Sequence, residues 1–196
     1  MNSVYTHQIT DENNNTLPWF TYPTIEYLAQ LDLSDKTVFE WGSGNSSSYF
    51  SRNCKKVISV ENNVEWYNIG INNKRENQEL FFANNKEEYI NYIKNFDKFD
   101  IILIDGDFRQ DCALLAAKFL NKTGIIIFDN SNWYVDSCSL LRNNNFIQID
   151  FHGMGPLNKY AWTTTIFFSR KYDFNPIDNY QPKKPIGGNL IFNHNE

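Results

Sequence analysis

The sequence predicts an α/β fold: a doubly wound sheet of about seven strands, mostly parallel, closed by an antiparallel carboxyl-terminal hairpin. Three observations predict it. Short β-rich runs alternate with helical stretches through five βα units. A Gly-x-Gly loop joins the first of those strands to its helix. The last two strands are separated by a loop too short for a helical crossover, so they must pair antiparallel. The length of 196 residues suits one domain, and 41% hydrophobic with 16% aromatic residues can fill a core, which excludes wholesale disorder.

Each element follows from its residues. The β-rich run 37–41 ends in Gly42-Ser43-Gly44, and a helical pattern follows over 46–53. A second strand spans 56–60 and ends at Glu61, with a helix through 65–74. A third strand at 79–83 precedes a helix over 86–95. The runs 100–104 and 124–128 are almost continuously apolar, as strands covered on both faces should be, and the helix 111–120 lies between them. After a helix over 135–142, strands 146–151 and 161–169 form the hairpin. Residues 1–31 read as an amino-terminal segment with a leading helix over 17–31, residues 32–170 as the core domain, and residues 171–196, with three of the six prolines, as an extended tail.

Charge and cysteines narrow the function classes. A net charge of −5 and a pI near 5.2 give no electrostatic footprint for following a phosphate backbone, so nucleic acid is excluded as the expected partner. Cys54, Cys112 and Cys138 are isolated and odd in number, which fits a reducing compartment. No apolar run approaches the ~20 residues of a membrane helix, and the first residues lack a leader pattern, so a cytoplasmic location without membrane association is expected. Asn is over-represented, which carries no functional message.

The loop Glu40-Trp41-Gly42-Ser43-Gly44-Asn45-Ser46 sits where glycines allow close backbone approach to a ligand and a helix start offers unpaired N–H groups. Glu61, at the end of the next strand, can accept hydrogen bonds from both hydroxyls of a ribose, with Asn62 beside it. A nicotinamide dinucleotide-binding enzyme shares these features, but Ser47 replaces its third glycine. The Glu-x-Gly-x-Gly acid and the antiparallel hairpin instead resemble class I S-adenosylmethionine-dependent methyltransferases, whose sheet is Rossmann-like. That resemblance implies S-adenosylmethionine as cofactor, Glu40 near its methionine portion, Asn84 near its adenine, and the strand-four loop Asp105-Gly106-Asp107 against it.

The acids after strands four and five, Asp105 and Asp129-Asn130, form a hard oxygen set suited to Mg²⁺ or Ca²⁺. In position and type they resemble the metal-dependent O-methyltransferases of the catechol and caffeoyl-CoA types. The resemblance implies a metal on Asp105, Asp129 and Asn130. Those enzymes carry a Lys base shortly after the strand-four Asp. Here the cation is Arg109, one position further on, which stays protonated and cannot be the base. Metal binding, direct ligand contact and simple helix capping are the three roles open to these acids. Asp105, Asp129 and His152 are the candidate catalytic groups.

Over residues 17–170 the chain is also similar to small methyltransferase-like proteins, through Asp105-Gly106, Arg109 and Cys112, the Gly153-Met154-Gly155-Pro156 segment and the early Pro-Trp-x-Thr-Tyr-Pro stretch. Trp19, Tyr22, Trp133, Tyr160 and Trp162 could wall a flat or sugar-like acceptor. The loop Asp105-Gly106-Asp107-Phe108 has none of the prolines of enzymes that methylate the amines of DNA bases. The expected activity is therefore O-methylation of a small molecule or sugar. A catalytically idle cofactor-binding protein is the alternative, and the expected partners are the acceptor and, at most, a second copy in a homodimer.

Overall fold

The structure, a computed structural model, describes residues 9–11, 13–186 and 188. His7, His194, Gly187 and the end of the expected tail lie outside the described residues. Seven strands form one sheet: β1 (Thr37–Trp41), β2 (Lys56–Glu61), β3 (Gln78–Phe82), β4 (Phe99–Ile104), β5 (Leu120–Phe128), β6 (Ile147–Gly153) and β7 (Trp162–Phe168). Their order is β3-β2-β1-β4-β5-β7-β6, parallel except that β7 runs antiparallel to both β5 and β6. The expected mostly parallel α/β sheet with its antiparallel hairpin is the fold observed.

Strand parity sorts the core into two layers. Phe39 and Trp41 of β1 face one side with Ile102, Ile104, Ile126 and Phe128. On that side the helices α4 (Lys86–Asn91), α5 (Arg109–Phe119) and α6 (Val135–Asn143) contribute Tyr89, Cys112, Ala113, Ala116 and Leu141. Val38, Val57, Ile101, Leu103, Ile125 and Ile127 face the other side. There α1 (Tyr22–Leu28) and α2 (Asn45–Asn53) bring Ile25, Leu28 and Phe50. Each such side chain, fully buried, stabilises the fold by roughly 1.5–3 kcal/mol relative to exposure. The remaining helix, α3 (Val64–Asn73), buries none of its residues and is started by Asn63, whose side chain accepts the Glu65 and Trp66 amides.

Three boundaries differ from expectation. The leading helix is only Tyr22–Leu28, with Pro23 in its first turn, where a missing N–H costs nothing, and Thr21 as an extended N-cap with ψ 144°. β5 begins at Leu120, where a helix and a loop were expected, as the Asn121 amide donates to Asp100 across the sheet at 2.7 Å. The helix expected over 86–95 closes as a 3-10 turn at Tyr92–Asn95. The tail returns to the core: Leu31 bridges Pro176, and Phe174 is buried against the α1 layer.

Two loops on the carboxyl edge of the sheet touch through their backbones. Gly42 has φ +97°, and a Cβ there would lie 3.1 Å from both Cα and N of Gly106. A Cβ on Gly106 would come within 1.9 Å of the Tyr89 hydroxyl and 2.9 Å of the Gly42 nitrogen. That hydroxyl is buried without a hydrogen-bond partner among the described residues; the Asp107 amide faces it outside hydrogen-bond geometry. Gly106→Ala is therefore expected to cost about 1–3 kcal/mol of stability. Adding Tyr89→Phe should recover part of that loss, and Tyr89→Phe alone should be neutral or stabilising, since it removes an unpaired buried hydroxyl. Thermal melts of the three variants check this.

Candidate active site

The carboxyl ends of β1, β2 and β4 open into a cleft of about 810 Å³. Of the residues expected at a cofactor, Gly42, Ser43, Gly44, Asn45, Ser46, Glu61, Asp105, Gly106 and Asp107 line it together. Glu61 is the hub. One of its oxygens accepts from the Ser43 amide at 2.8 Å and the Ser43 hydroxyl at 3.2 Å. The other accepts the amides of Asn62 and Asn63 at 2.9 and 2.8 Å. The acid thus fixes the glycine loop against the end of β2.

Four expected contacts lie elsewhere. Glu40 faces the α1 side of the sheet and is wholly buried beneath the loop, where the Ser46 and Ser59 hydroxyls donate to it at 3.0 and 2.5 Å. Burial pushes its carboxyl up to about 7 against those hydrogen bonds. Trp41 points to the opposite layer and donates its indole N–H to the Tyr89 carbonyl at 3.1 Å. Asn62 bridges to Asp107 at 2.9 Å without lining the cleft. Asn84 is exposed and held by Glu88, which accepts both its backbone and side-chain N–H groups.

The sequence reading missed part of the wall. Ile9, Thr10 and Thr16 from the amino-terminal segment, Asn63 and Trp66 from the start of α3, and Leu157 from the hairpin loop all line the cleft, beside Trp19, which was expected only as an acceptor wall. Thr10 pairs with Thr16 in an isolated bridge, and Arg52 donates to the Thr16 carbonyl. Only Asn63 had a local signal, an Asx cap just after the strand-two acid.

A second cleft, of about 310 Å³, adjoins the first and shares Trp19 and Asp105 with it. Asp129, Asn130, Trp133, Asn158, Tyr160 and Trp162 complete it. Trp19, Trp133, Tyr160 and Trp162 therefore meet around one space, as the expected acceptor walls should, whereas Tyr22 does not line it. Asp129 accepts from the Trp162 indole N–H at 3.0 Å and the Thr164 hydroxyl at 2.5 Å, and the Thr21 amide donates to that same Thr164 oxygen. His152 is exposed on the edge strand β6, paired with the Thr163 hydroxyl at 2.7 Å, and lines neither cleft. The catalytic role expected of it has no geometric basis.

The metal expectation also fails a test of fit. The Arg109 guanidinium, largely buried, donates to the Gly106 and Asp105 carbonyls at 2.8 and 2.9 Å and to the Asp105 carboxylate at 3.3 Å. It donates further to the Asp129 carbonyl at 2.5 Å and the Asn130 side-chain oxygen at 2.9 Å. One oxygen of Asp105 and the Asn130 oxygen are thus committed to a fixed monovalent cation, and one oxygen of Asp129 to Trp162 and Thr164, so the cation a metal would supply is already in place. No group of three or more His, Cys, Asp or Glu side chains that could hold a metal occurs among the described residues. Burial raises both the Asp105 and Asp129 carboxyls, and for Asp105 the nearby Asp129 charge adds to the rise while Arg109 opposes it.

Comparisons with known proteins agree on the fold. No protein-family model matches the chain. No curated protein matches it either. Among solved structures, precorrin-6y C5,15-methyltransferase from Geobacter metallireducens aligns with a TM-score of 0.58 at 12% identity, over 84% of this chain and 96% of that one. The N-methyltransferase NodS from Bradyrhizobium japonicum aligns with a TM-score of 0.53 at 11% identity, over 74% and 93%. A Streptococcus mutans protein solved in complex with SAH aligns with a TM-score of 0.53 at 11% identity, over 73% and 94%. The chain has the class I methyltransferase fold, and the likeness at these identities is one of fold. No helix among the described residues is long and apolar enough to cross a membrane.

Three outcomes follow from the buried charges. Because the folded-state pKa of Glu40 is raised from 4.5 to about 7, its contribution is present below about 4.5 and is lost as pH rises through about 7. Glu40→Gln should abolish that loss, on the order of 3 kcal/mol, when denaturant melts of the two proteins are compared between acid and neutral pH. Arg109→Ala should cost roughly 3 kcal/mol or more, since it leaves three carbonyls and an amide oxygen without their donor. Millimolar Mg²⁺ should leave the melting temperature of the unsubstituted chain unchanged.

Proposed function

We propose that the chain is an S-adenosylmethionine-dependent methyltransferase that methylates a hydroxyl oxygen of a small molecule or sugar. The observation that carries this reading is the junction of two clefts on the carboxyl edge of the sheet, with Trp19 and Asp105 in the walls of both. The fold's solved neighbours include a C5,15-methyltransferase, an N-methyltransferase and an SAH complex, which supports the cofactor and leaves the acceptor atom to the site. A cytoplasmic setting goes with it, since Cys54, Cys112 and Cys138 are all unpaired thiols.

Bound S-adenosylmethionine supplies a methyl group on a sulfonium, open to a nucleophile aligned behind it. The residues present suit it. Gly42 and Gly44 keep side chains out of the cradle, and Glu61 takes a ribose hydroxyl in place of the Ser43 hydroxyl, the longest of its four donors at 3.2 Å. Asp105 takes the proton of the acceptor hydroxyl as that oxygen bonds to the methyl carbon. Its raised pKa makes it a better base than an ordinary carboxylate. Arg109 holds Asp105 in place at 3.3 Å.

Calorimetric titration of the full chain with S-adenosylmethionine and with S-adenosylhomocysteine tests the reading. Saturable heat is expected for both, and Glu61→Gln should weaken S-adenosylhomocysteine about tenfold or more, the worth of one charged hydrogen bond. An absence of heat with either ligand would sink the cofactor reading. Binding without turnover of any acceptor would leave an idle cofactor-binding protein.

A further inference from the structure

The geometry points to a neutral saccharide ring as the occupant of the second cleft, held by stacking on Trp19, Trp133 and Tyr160 and by hydrogen bonds to Asp105, Asn130 and Asn158. This rests on the methyltransferase reading and names the acceptor class for it. Charge argues first. Asp105 and Asp129 line the cleft, and the Arg109 guanidinium, bonded to Asp105 and to Asn130, stands directly behind them. An anionic acceptor would meet two carboxyls, and an ammonium would meet a fixed guanidinium that already claims the nearest oxygens. A neutral ligand suits this balance.

Shape and polarity agree. Trp19, Trp133 and Tyr160 are 39%, 60% and 54% exposed, so their rings offer free area on the walls of a cavity. Trp162, in contrast, is buried and pinned by its N–H on Asp129. The negative face of an aromatic ring favours the positively polarised C–H edges of a sugar. Between those walls, the Asn130 amide N–H₂ and the Asn158 side chain have no hydrogen-bond partner among the described residues. A phenol presents one hydroxyl and would leave such groups unpaired in a filled cleft, a loss that discriminates strongly against it. A pyranose ring carries several hydroxyls, enough to pair with each group. One of them, beside Asp105, gives its proton to the carboxylate; its oxygen forms the new C–O bond, and the breaking S–CH₃ bond leaves its electron pair on sulfur.

The test uses the full chain saturated with S-adenosylhomocysteine, on an array of neutral and acidic glycans, alongside titrations with catechol and with a primary alkylamine. Retention of neutral glycans is expected, with affinity lost about tenfold or more in Trp133→Ala and in Tyr160→Ala while S-adenosylhomocysteine binding is unchanged. A glycan so found should gain one methyl group by mass when S-adenosylmethionine replaces the product. If the protein holds no glycan, holds only acidic ones, or binds catechol or the amine in their place, the saccharide assignment is overturned. Failure of S-adenosylhomocysteine to bind would instead overturn the methyltransferase reading, and glycan retention would still be scored without it.

Discussion

One guanidinium holds the carboxyl edge of the sheet together. Arg109, at the start of α5, reaches back across the ends of β4 and β5 and donates to carbonyl or side-chain oxygens of Gly106, Asp105, Asp129 and Asn130. Three of the residues that line the smaller cleft, Asp105, Asp129 and Asn130, are fixed by that contact. Its planar fork suits a site where several oxygens converge, which a lysine ammonium would meet only as a point charge. The consequence for chemistry is that positive charge at the strand ends is built into the chain.

The same edge is closed from the other side by backbone contact between Gly42 and Gly106. Side chains are excluded there, so the two loops that floor the larger cleft meet backbone to backbone. Glu61 and Glu40 then act above and below this floor. Glu61 is turned to the cleft with four donors, whereas Glu40 is sealed beneath it with serine hydroxyls. The division follows from where each side chain leaves its strand.

Much of this was legible in the residues. Continuous apolar runs at 100–104 and 124–128 announced buried parallel strands, and the short last loop announced the hairpin, because both signals are local. The glycine loop and Glu61 were legible for the same reason. Strand parity also held the answer for Glu40: with Phe39 and Trp41 on one face, the acid between them had to face the other. Asn84 and His152 were misjudged since their partners, Glu88 and Thr163, are set by helix and strand register. Trp66, Leu157 and Ile9 reach the cleft from elements far apart in sequence, and nothing local marks such convergence. The metal reading failed at one residue type. Arg109 was recognised as a departure, yet its reach to Asn130 could only be seen in three dimensions.

Trp19 belongs to the walls of both cavities. A ring shared in this way cannot be displaced in one space without reshaping the other, so an occupant that shifts it would link the two. Any change that an occupant of the larger cavity makes in affinity at the smaller must be returned in equal measure. That coupling would run through one indole, on a segment that precedes the first strand of the sheet.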